Sequence, residues 1–443
     1  MLTLTRPQRH VVATIGLLLS TVAPTVYVGY VSWKINRPGH LRDVEVELGR
    51  ELGLQVSLKE VRHPRPGEDV LRGVVFRHEE PRGKTFAEVA RAEAVRVHRK
   101  GGEMVVEARG LVVRGEGPRQ AIDQASALLS RAGEGPWKRV SLSAPTCEIE
   151  LGDGGPGGLG YSVREVAATF QAEAGSPVVR ASYRMLGDGP TTRCELTLTR
   201  DRSARPIRTT IALETKEGPP LPARVLDPYF SSAEWLGPEA RVAGALTLQK
   251  AGEQDWEAEF RGDLLDLDLA ALVSRWFPDH RLGGVATVRV RSARWAGRPG
   301  GQGPGWVEAD GTLAAGPGAI SPSLLEALKA EMKFKLDPKL AGRGEDVPFQ
   351  ALGLSFAMAA DGQLRLGGNL GTEFPAGAVL IDGTQGVPIA GAPGGMANVR
   401  GLWNALFPRV AGSVLISETR DSLLLRKFLP APPAREVKAA VGN

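Results

Sequence analysis

The feature that most constrains the fold is an alternation of apolar and polar residues that recurs along most of the chain. In the stretch RLGGVATVRVRSARW, residues 281–295, every second residue is small or apolar: Ala286, Val288, Val290 and Ser292. The residues between them are polar or charged. Side chains of a β-strand point alternately to opposite faces, so this period predicts a strand with one apolar face.

The alternation returns in a series of short segments separated by turn residues. Glycine (55) and proline (32) together make up about a fifth of the 443 residues, against a typical share of ~12%. Successive strands are predicted from about Lys138 onward: RVSLSAPTCEIELG, SVREVAATFQAEAG, VVRASYRML, TRCELTLTR, IRTTIALET, ARVAGALTLQK and WEAEFRGDL. The composition and the pattern predict a mainly β protein with many turns.

A few short helices interrupt the predicted strands. Leucine and valine recur at helical spacing in residues 41–53, and SPSLLEALKAEM and GLWNALF show the same period. Glycines bound a further helix at residues 117–133. In DLDLAALVSRWF, Asp266 or Asp268 is expected near the helix N-terminus, where a carboxylate suits the helix dipole.

One segment is long and apolar enough to cross a membrane. Residues 11–33 contain no charged side chain, and a helix needs about 20 apolar residues to cross a bilayer. Tyr27, Tyr30 and Trp33 cluster at one end, as aromatic residues do at the membrane interface, and Pro24 is expected to kink the helix. We favour an uncleaved signal anchor over a cleaved signal peptide, because no small-residue cleavage site follows. The charges on the two sides do not decide the orientation.

The chemistry-bearing residues do not assemble into a recognisable motif. The six histidines lack the spacing of metal ligands and are expected at the surface: His10, His40, His63, His78, His98 and His280. GGPGGLG, residues 154–160, lacks the rest of a phosphate-binding loop. The sequence predicts no catalytic residue, cofactor or metal, and the net charge of +5 without a basic stripe does not indicate nucleic-acid binding. Cys147 and Cys194 are either a disulfide or two buried thiols.

Three stretches resemble the AsmA-like family of envelope proteins. LGLQVSLKEV and PRPGEDVLRGVVFRHEE follow the apolar segment as at the start of that family, GWVEADGTLAAGPGAISPSLLEALKAEMKF is similar to its strand–helix unit, and LSFAMAADGQLRLGGNLG resembles its strand pair. The resemblance implies a single N-terminal transmembrane helix followed by an elongated, twisted antiparallel β-sheet curled into a groove. It covers both ends of the chain and is diffuse between them.

The resemblance implies a division of the chain and a lipid site. Residues 1–10 would be a cytoplasmic stub, 11–33 the signal anchor, 34–135 an N-terminal α+β cap, 136–420 the repeating groove and 421–443 a partly disordered tail. The implied groove floor contains two sets of apolar residues: Ala286, Val288, Val290, Leu354, Phe356, Met358, Leu364 and Leu366. A closed β-sandwich core would give the same alternation.

The functional expectation is a protein of the cytoplasmic membrane with its C-terminal body in the periplasm. Its apolar groove would bind lipid acyl chains or conduct them between membranes, with membrane lipids and other envelope proteins as partners and no nucleic acid. The alternative is a structural or assembly scaffold of the cell envelope with a filled core. An anchored hydrolase would require histidine, serine or acidic side chains that converge in one pocket.

Overall fold

Strands dominate the computed structural model of the chain. Among the described residues, strands take up 56% and helices 22%. The described residues are 6–52, 54–79, 86–114, 137–151, 159–172, 175–185, 191–226, 235–252, 256–273, 279–296, 306–340, 344–383 and 386–406, with 122, 125, 126, 129, 130 and 277. The predicted strand GSVLISE, the predicted tail 421–443 and most of both GGPGGLG and the predicted helix 117–133 lie outside them.

The helices agree well with those expected from the sequence. They are α1 (Arg6–Leu17), α2 (Ala23–Asn36), α3 (His40–Leu52), α4 (Leu269–Leu272), α5 (Pro322–Met332) and α6 (Val399–Leu406). Asp268 accepts a hydrogen bond from the Ala270 backbone N–H at 2.8 Å and so begins α4. Ser321 caps α5 and Pro322 occupies its first turn, as the preferences of these positions predict.

The N-terminal apolar segment is one helical rod. Residues His10–Tyr30 have a mean hydropathy of 1.9, and none of the segment is buried against the rest of the protein. A π-helical turn, Leu18–Val22, joins α1 to α2 directly before Pro24. Proline has no N–H and its ring displaces the carbonyl four residues back, so a wider turn accommodates it. The rod is long and apolar enough to span a membrane.

The strands before residue 120 form the N-terminal part of the sheet. They are β1 (Gln55–Ser57), β2 (Glu60–Arg65), β3 (Glu68–Glu79), β4 (Phe86–Lys100), β5 (Glu103–Arg109) and β6 (Leu111–Arg114). The predicted Gly-Gly hairpin is confirmed, since Gly101 and Gly102 separate β4 from β5 with positive φ angles of 59° and 84°. Such angles cost glycine little.

The remaining strands continue the same sheet. Those with the longest ladders are β7 (Arg139–Leu151), β8 (Leu159–Gln171), β9 (Val178–Met185), β10 (Thr192–Asp201), β11 (Arg208–Glu217), β13 (Arg241–Ala251), β14 (Glu257–Asp268), β16 (Val285–Ala296), β17 (Trp306–Ala315) and β20 (Val347–Met358). Shorter ones are β12 (Leu221–Pro222), β15 (Leu282–Gly283), β18 (Gly318–Ile320), β19 (Lys335–Leu336), β21 (Gln363–Gly368), β22 (Ala378–Asp382), β23 (Pro388–Gly391) and β24 (Met396–Asn398).

All described strands belong to a single sheet of 24 strands. Nearly every pairing is antiparallel, as expected, but β5 and β6 pair in parallel with β7. The sheet is therefore mixed rather than purely antiparallel. A parallel pair needs a long connection, which residues 115–136 supply. The ladder runs across residue 135, so the predicted boundary between cap and groove stays a prediction.

A β-bulge places Ser292 on the face opposite to the one expected from the alternation. The register between β16 and its neighbours shifts between Val290 and Ser292, which leaves Arg291 as the extra residue. Ser292 then pairs with Asp310 on the charged face. Past the bulge, Ala293 and Trp295 join the apolar side. A single extra residue exchanges the two faces of a strand.

We call the face that carries Ala286, Val288 and Val290 the inner face. Four groups of helical residues pack on it. At the N-terminal end, α3 contributes Leu41, Val44, Leu48 and Leu52. Along one margin, Leu129 packs with Phe170, Leu198 and Ile211, next to Ile122 and Ala125. At the C-terminal end, Met332 of α5 and Val399 and Ala405 of α6 pack on β21. At the margin opposite to Leu129, Leu269 of α4 packs with Leu267 and Ala286. The core lies beneath these four covers.

A histidine pair fixes α3 to the edge of the sheet. His40 Nε2 lies 2.8 Å from His63 Nε2 on β2, and His63 Nδ1 lies 2.7 Å from Asp69 Oδ1 on β3. Since the Nδ1–H of His63 donates to Asp69, the Nε2–H of His40 donates to His63. Asp69 also forms an ion pair with Arg99. The two histidines are 23 residues apart, so their spacing did not reveal the contact.

The cysteines are two buried free thiols rather than a disulfide. Cys147 lies on β7 and Cys194 on β10, with β8 and β9 between them. Burial raises the pKa of each thiol to about 11, because a thiolate loses its solvation inside the protein. Each cysteine is therefore an inert apolar side chain of the native sheet.

We expect both thiols to resist modification at pH 8 in the native protein. A pKa two units above that of an exposed thiol lowers the thiolate fraction about 100-fold, and labelling with Ellman's reagent should slow at least as much. In guanidinium both thiols should react at once. Because the folded-state pKa is raised, the stability from the neutral thiols falls as the pH rises from 9 toward 11. Rapid labelling of the native chain would contradict this.

Candidate functional site: an apolar lane across the sheet

The inner face carries an unbroken row of apolar side chains. Cross-strand partners in the ladders share a face, and the registers connect one apolar residue from each of many neighbouring strands. We call this row the lane: Val97, Val106, Leu142, Ala168, Ala181, Leu196, Leu213, Leu246, Phe260, Ala293, Ala309, Met358 and Leu364. The lane crosses the sheet from β4 to β21.

The middle of the lane is the part that the helices leave accessible. Leu213 is 37% exposed, and its neighbours Leu196, Leu246 and Phe260 are only half-buried. At about 4.8 Å per strand, the distance from Ala181 to Phe260 is roughly 19 Å. One leaflet of a bilayer holds its acyl chains within about 15 Å. The accessible stretch therefore has the length and polarity of one acyl chain.

The first set of predicted floor residues lies beside the lane. Ala286 is 1% exposed, and it packs in a cluster with Leu267 and Leu269. Val288 and Val290 are half-buried, and Val288 lies against the same cluster. The three residues share one face, and only the two valines have surface that a ligand could touch.

The second set lies under the C-terminal helices. Leu364 and Leu366 are 5% and 8% exposed, and they pack with Met332 and Val399. The other three residues of the set are half-buried against the same cluster: Leu354, Phe356 and Met358. All five share the inner face, but α5 and α6 cover them. Their role in a lipid site stays a prediction, and it requires these helices to move aside.

The sequence did not indicate four residues whose alignment and exposure fit a lipid site better: Leu196, Leu213, Leu246 and Phe260. Their segments were correctly expected as strands. The signal that could have found them is the alternation within TRCELTLTR, IRTTIALET, ARVAGALTLQK and WEAEFRGDL. What the alternation does not give is the register that aligns them into one row, which depends on contacts between distant strands.

The opposite face of the same strands is charged and internally neutralised. Arg289 Nε lies 3.1 Å from Asp263, Arg291 Nε 2.9 Å from Asp310, and Arg261 Nε 2.8 Å from Glu259. Hydrogen bonds from Arg291 and Arg261 lower the pKa of the Asp310 and Glu259 carboxyls. These pairs are exposed and contribute little stability each. Their effect is to define which face is in water.

The three predicted membrane-interface residues all lie on the surface of α2. Tyr27, Tyr30 and Trp33 are 68%, 56% and 64% exposed, and the rings of Tyr30 and Trp33 are 6.2 Å apart between centroids. No described residue from the body of the protein buries them. They lie near the C-terminal end of the apolar rod, and their role at a membrane interface stays a prediction.

One histidine–serine contact resembles a catalytic pair but has a structural explanation. His280 Nδ1 lies 3.2 Å from Ser323 Oγ, and His280 Nε2 lies 2.8 Å from the Ala405 carbonyl oxygen. His280 is 2% exposed, contrary to the surface position expected, so a substrate does not reach it. The contact joins the start of α5 to α6. Within the described ranges, no group of three or more histidine, cysteine or acidic residues could hold a metal ion.

Comparison with protein-family models, with curated proteins and with solved structures finds no match to this chain. The resemblance to AsmA-like proteins therefore stays a prediction from the three quoted stretches. The lane and the apolar N-terminal rod are the features of the described residues that indicate a function.

Proposed function

We propose that the chain is a membrane-anchored, AsmA-like envelope protein whose inner face binds lipid acyl chains. The observation that carries the proposal is the half-exposed middle of the lane, where Leu196, Leu213, Leu246 and Phe260 align across four neighbouring strands. A contiguous apolar strip that remains open to solvent in a single chain is typical of a binding site. Burying it against an acyl chain yields about 25 cal/mol per Å².

The architecture of the sheet favours an open groove rather than a closed β-sandwich. A sandwich needs a second sheet that packs on the first about 10 Å away, and the described strands all belong to one sheet. Helical residues cover both ends and part of each margin of the inner face, so its accessible part is a strip between these covers. Such a strip would hold an acyl chain away from water.

The apolar N-terminal rod supports a location at a membrane. The rod His10–Tyr30 is the only described helix with the length and hydropathy of a span. We infer that it lies in the cytoplasmic membrane, with the body in the periplasm, where lipids pass between the two membranes. Membrane lipids are then the ligand, and other envelope proteins would receive or deliver them.

The test replaces two lane residues with aspartate in the full-length chain held in amphipol. A phospholipid with a photoreactive group in one acyl chain is crosslinked, and the labelled peptides are quantified by mass spectrometry. We expect Leu213→Asp with Leu246→Asp to reduce labelling of residues 192–268 at least tenfold, since two buried charges remove about 1.4 kcal/mol or more of binding. Labelling of the N-terminal rod is the internal reference.

The matched control lies on the same two strands but on the other face. Ala212 and Thr247 are direct cross-strand partners, one residue away from Leu213 and Leu246. Ala212→Asp with Thr247→Asp adds the same charge and should leave the labelling unchanged. Equal labelling of all three proteins, or labelling confined to the rod, would contradict the proposal.

The scaffold alternative also has an observation in its favour. The C-terminal part of the inner face is filled by α5 and α6, with Met332 and Ala405 fully buried. A body that is filled throughout would fold and assemble without lipid. In that case the aspartate variants would lose stability rather than lipid, which their thermal melting would reveal.

A further inference from the structure

The inner face carries a row of polar residues next to the apolar row of Leu198, Ile211 and Leu248. Arg200 on β10, Thr209 on β11 and Lys250 on β13 are direct cross-strand partners. Each lies two residues beyond Leu198, Ile211 and Leu248, respectively, and no register shift separates the two rows. Because side chains two residues apart in a strand share a face, the two cations point to the same side as the lane.

Among the described residues, the two cations lack the carboxylate partners that similar side chains have elsewhere. Arg200 Nη1 is 3.2 Å from Thr209 Oγ1, and within the described part of the chain it has no ion pair. Lys250 makes neither a side-chain hydrogen bond nor an ion pair there. Both side chains are half-buried. By contrast, Arg99 also points inward but is paired with Asp69.

A partly buried cation without a counter-charge loses part of its solvation and gains no ion pair in exchange. Two of them on one row, two strands apart, are separated by about 10 Å at their Cα atoms. Arginine and lysine are long enough to converge on one anion from that distance, and the Thr209 hydroxyl between them can donate a further hydrogen bond. Arginine and lysine are the side chains that bind phosphate and carboxylate groups best.

We propose that Arg200, Thr209 and Lys250 bind the anionic head group of an amphiphile whose acyl chain lies on the lane. The inference rests on the proposed function and names the class of lipid: one with a phosphate or carboxylate next to the chain. The polar row is four residues from the lane along the strands, about 13 Å, a distance that a glycerol linker and the first carbons of the chain cover. Trp256, which is 37% exposed, directly precedes β14 at the same margin.

The test compares two photoreactive probes with the same acyl chain, lysophosphatidic acid and monoacylglycerol, on the full-length chain in amphipol. We expect the wild-type chain to be labelled about tenfold more strongly by the phosphate probe, the effect of one charge-assisted hydrogen bond. Arg200→Gln with Lys250→Gln should abolish that preference and leave monoacylglycerol labelling unchanged.

The control variant removes two arginines from the opposite face of the same region. Arg180→Gln with Arg208→Gln makes the same change in net charge, on β9 and β11, and should keep the preference. Equal labelling by both probes in the wild-type chain would overturn the head-group site and leave the acyl-chain proposal standing. Labelling by neither probe within residues 192–268 would overturn both. Displacement of the phosphate probe by inorganic phosphate at equal concentration would assign the row to a free anion and overturn the lipid head group.

Discussion

Phe349→Ala should lower the free energy of unfolding by about 3–5 kcal/mol, the cost of emptying a buried aromatic site. Phe349 is 1% exposed, and its ring fills the space above Gly284 and Gly318, where a Cβ atom would lie 3.5 and 2.5 Å from the ring. Glycine has no side chain that could fill the cavity. A guanidinium titration followed by tryptophan fluorescence measures the loss.

The control for this change is a phenylalanine at the surface. Phe86 is 52% exposed, so Phe86→Ala should change the free energy of unfolding by less than about 0.5 kcal/mol. If the two variants were equally stable, the C-terminal cluster around Phe349 would not be a core, and the helices α5 and α6 would not be packed as described.

Gly262→Ala should also destabilise the protein, by about 3 kcal/mol, through the backbone rather than a cavity. A Cβ atom on Gly262 would lie 2.1 Å from the Ala243 carbonyl oxygen and 2.7 Å from the Gly244 Cα. The strands β13 and β14 would have to separate at this point. Since both strands contribute to the lane, acyl-chain labelling should fall together with the thermal midpoint.

The control for Gly262→Ala is a glycine without close neighbours. A Cβ atom on Gly316 would have no neighbour within 4 Å, and the φ angle of Gly316 is not positive. Gly316→Ala should therefore be neutral or slightly stabilising. A Gly262→Ala protein with an unchanged midpoint would mean that β13 and β14 are farther apart than the structure has them.

Local signals in the sequence predicted the local elements. The helix α3, the cap at Asp268, the helix after Ser321 and the Gly101-Gly102 hairpin are each determined by residues within a few positions of one another. The mainly β class followed from the same alternation. The apolar rod was equally plain, since length and hydropathy alone define it.

Non-local geometry decided what the sequence did not reveal. The parallel pairing of β5 and β6 with β7, the helical cover over Leu364 and the contact between His40 and His63 all join segments far apart in the chain. The bulge at Arg291 moved Ser292 to the charged face without any local signal. Arg200 and Lys250 look like ordinary surface cations until the register places them on the inner face, next to Leu198 and Leu248.

The short link between α2 and α3 has a consequence for the lipid affinity that the proposed function needs. Three residues separate Asn36 from His40, which at most span about 11 Å. With α1 and α2 in a bilayer, the sheet never diffuses away from its own supply of lipid. Such tethering gives effective concentrations in the millimolar range. Under the proposed function, a lipid site that is weak in dilute solution would therefore still be occupied, and weak binding would allow the fast release that onward transfer requires.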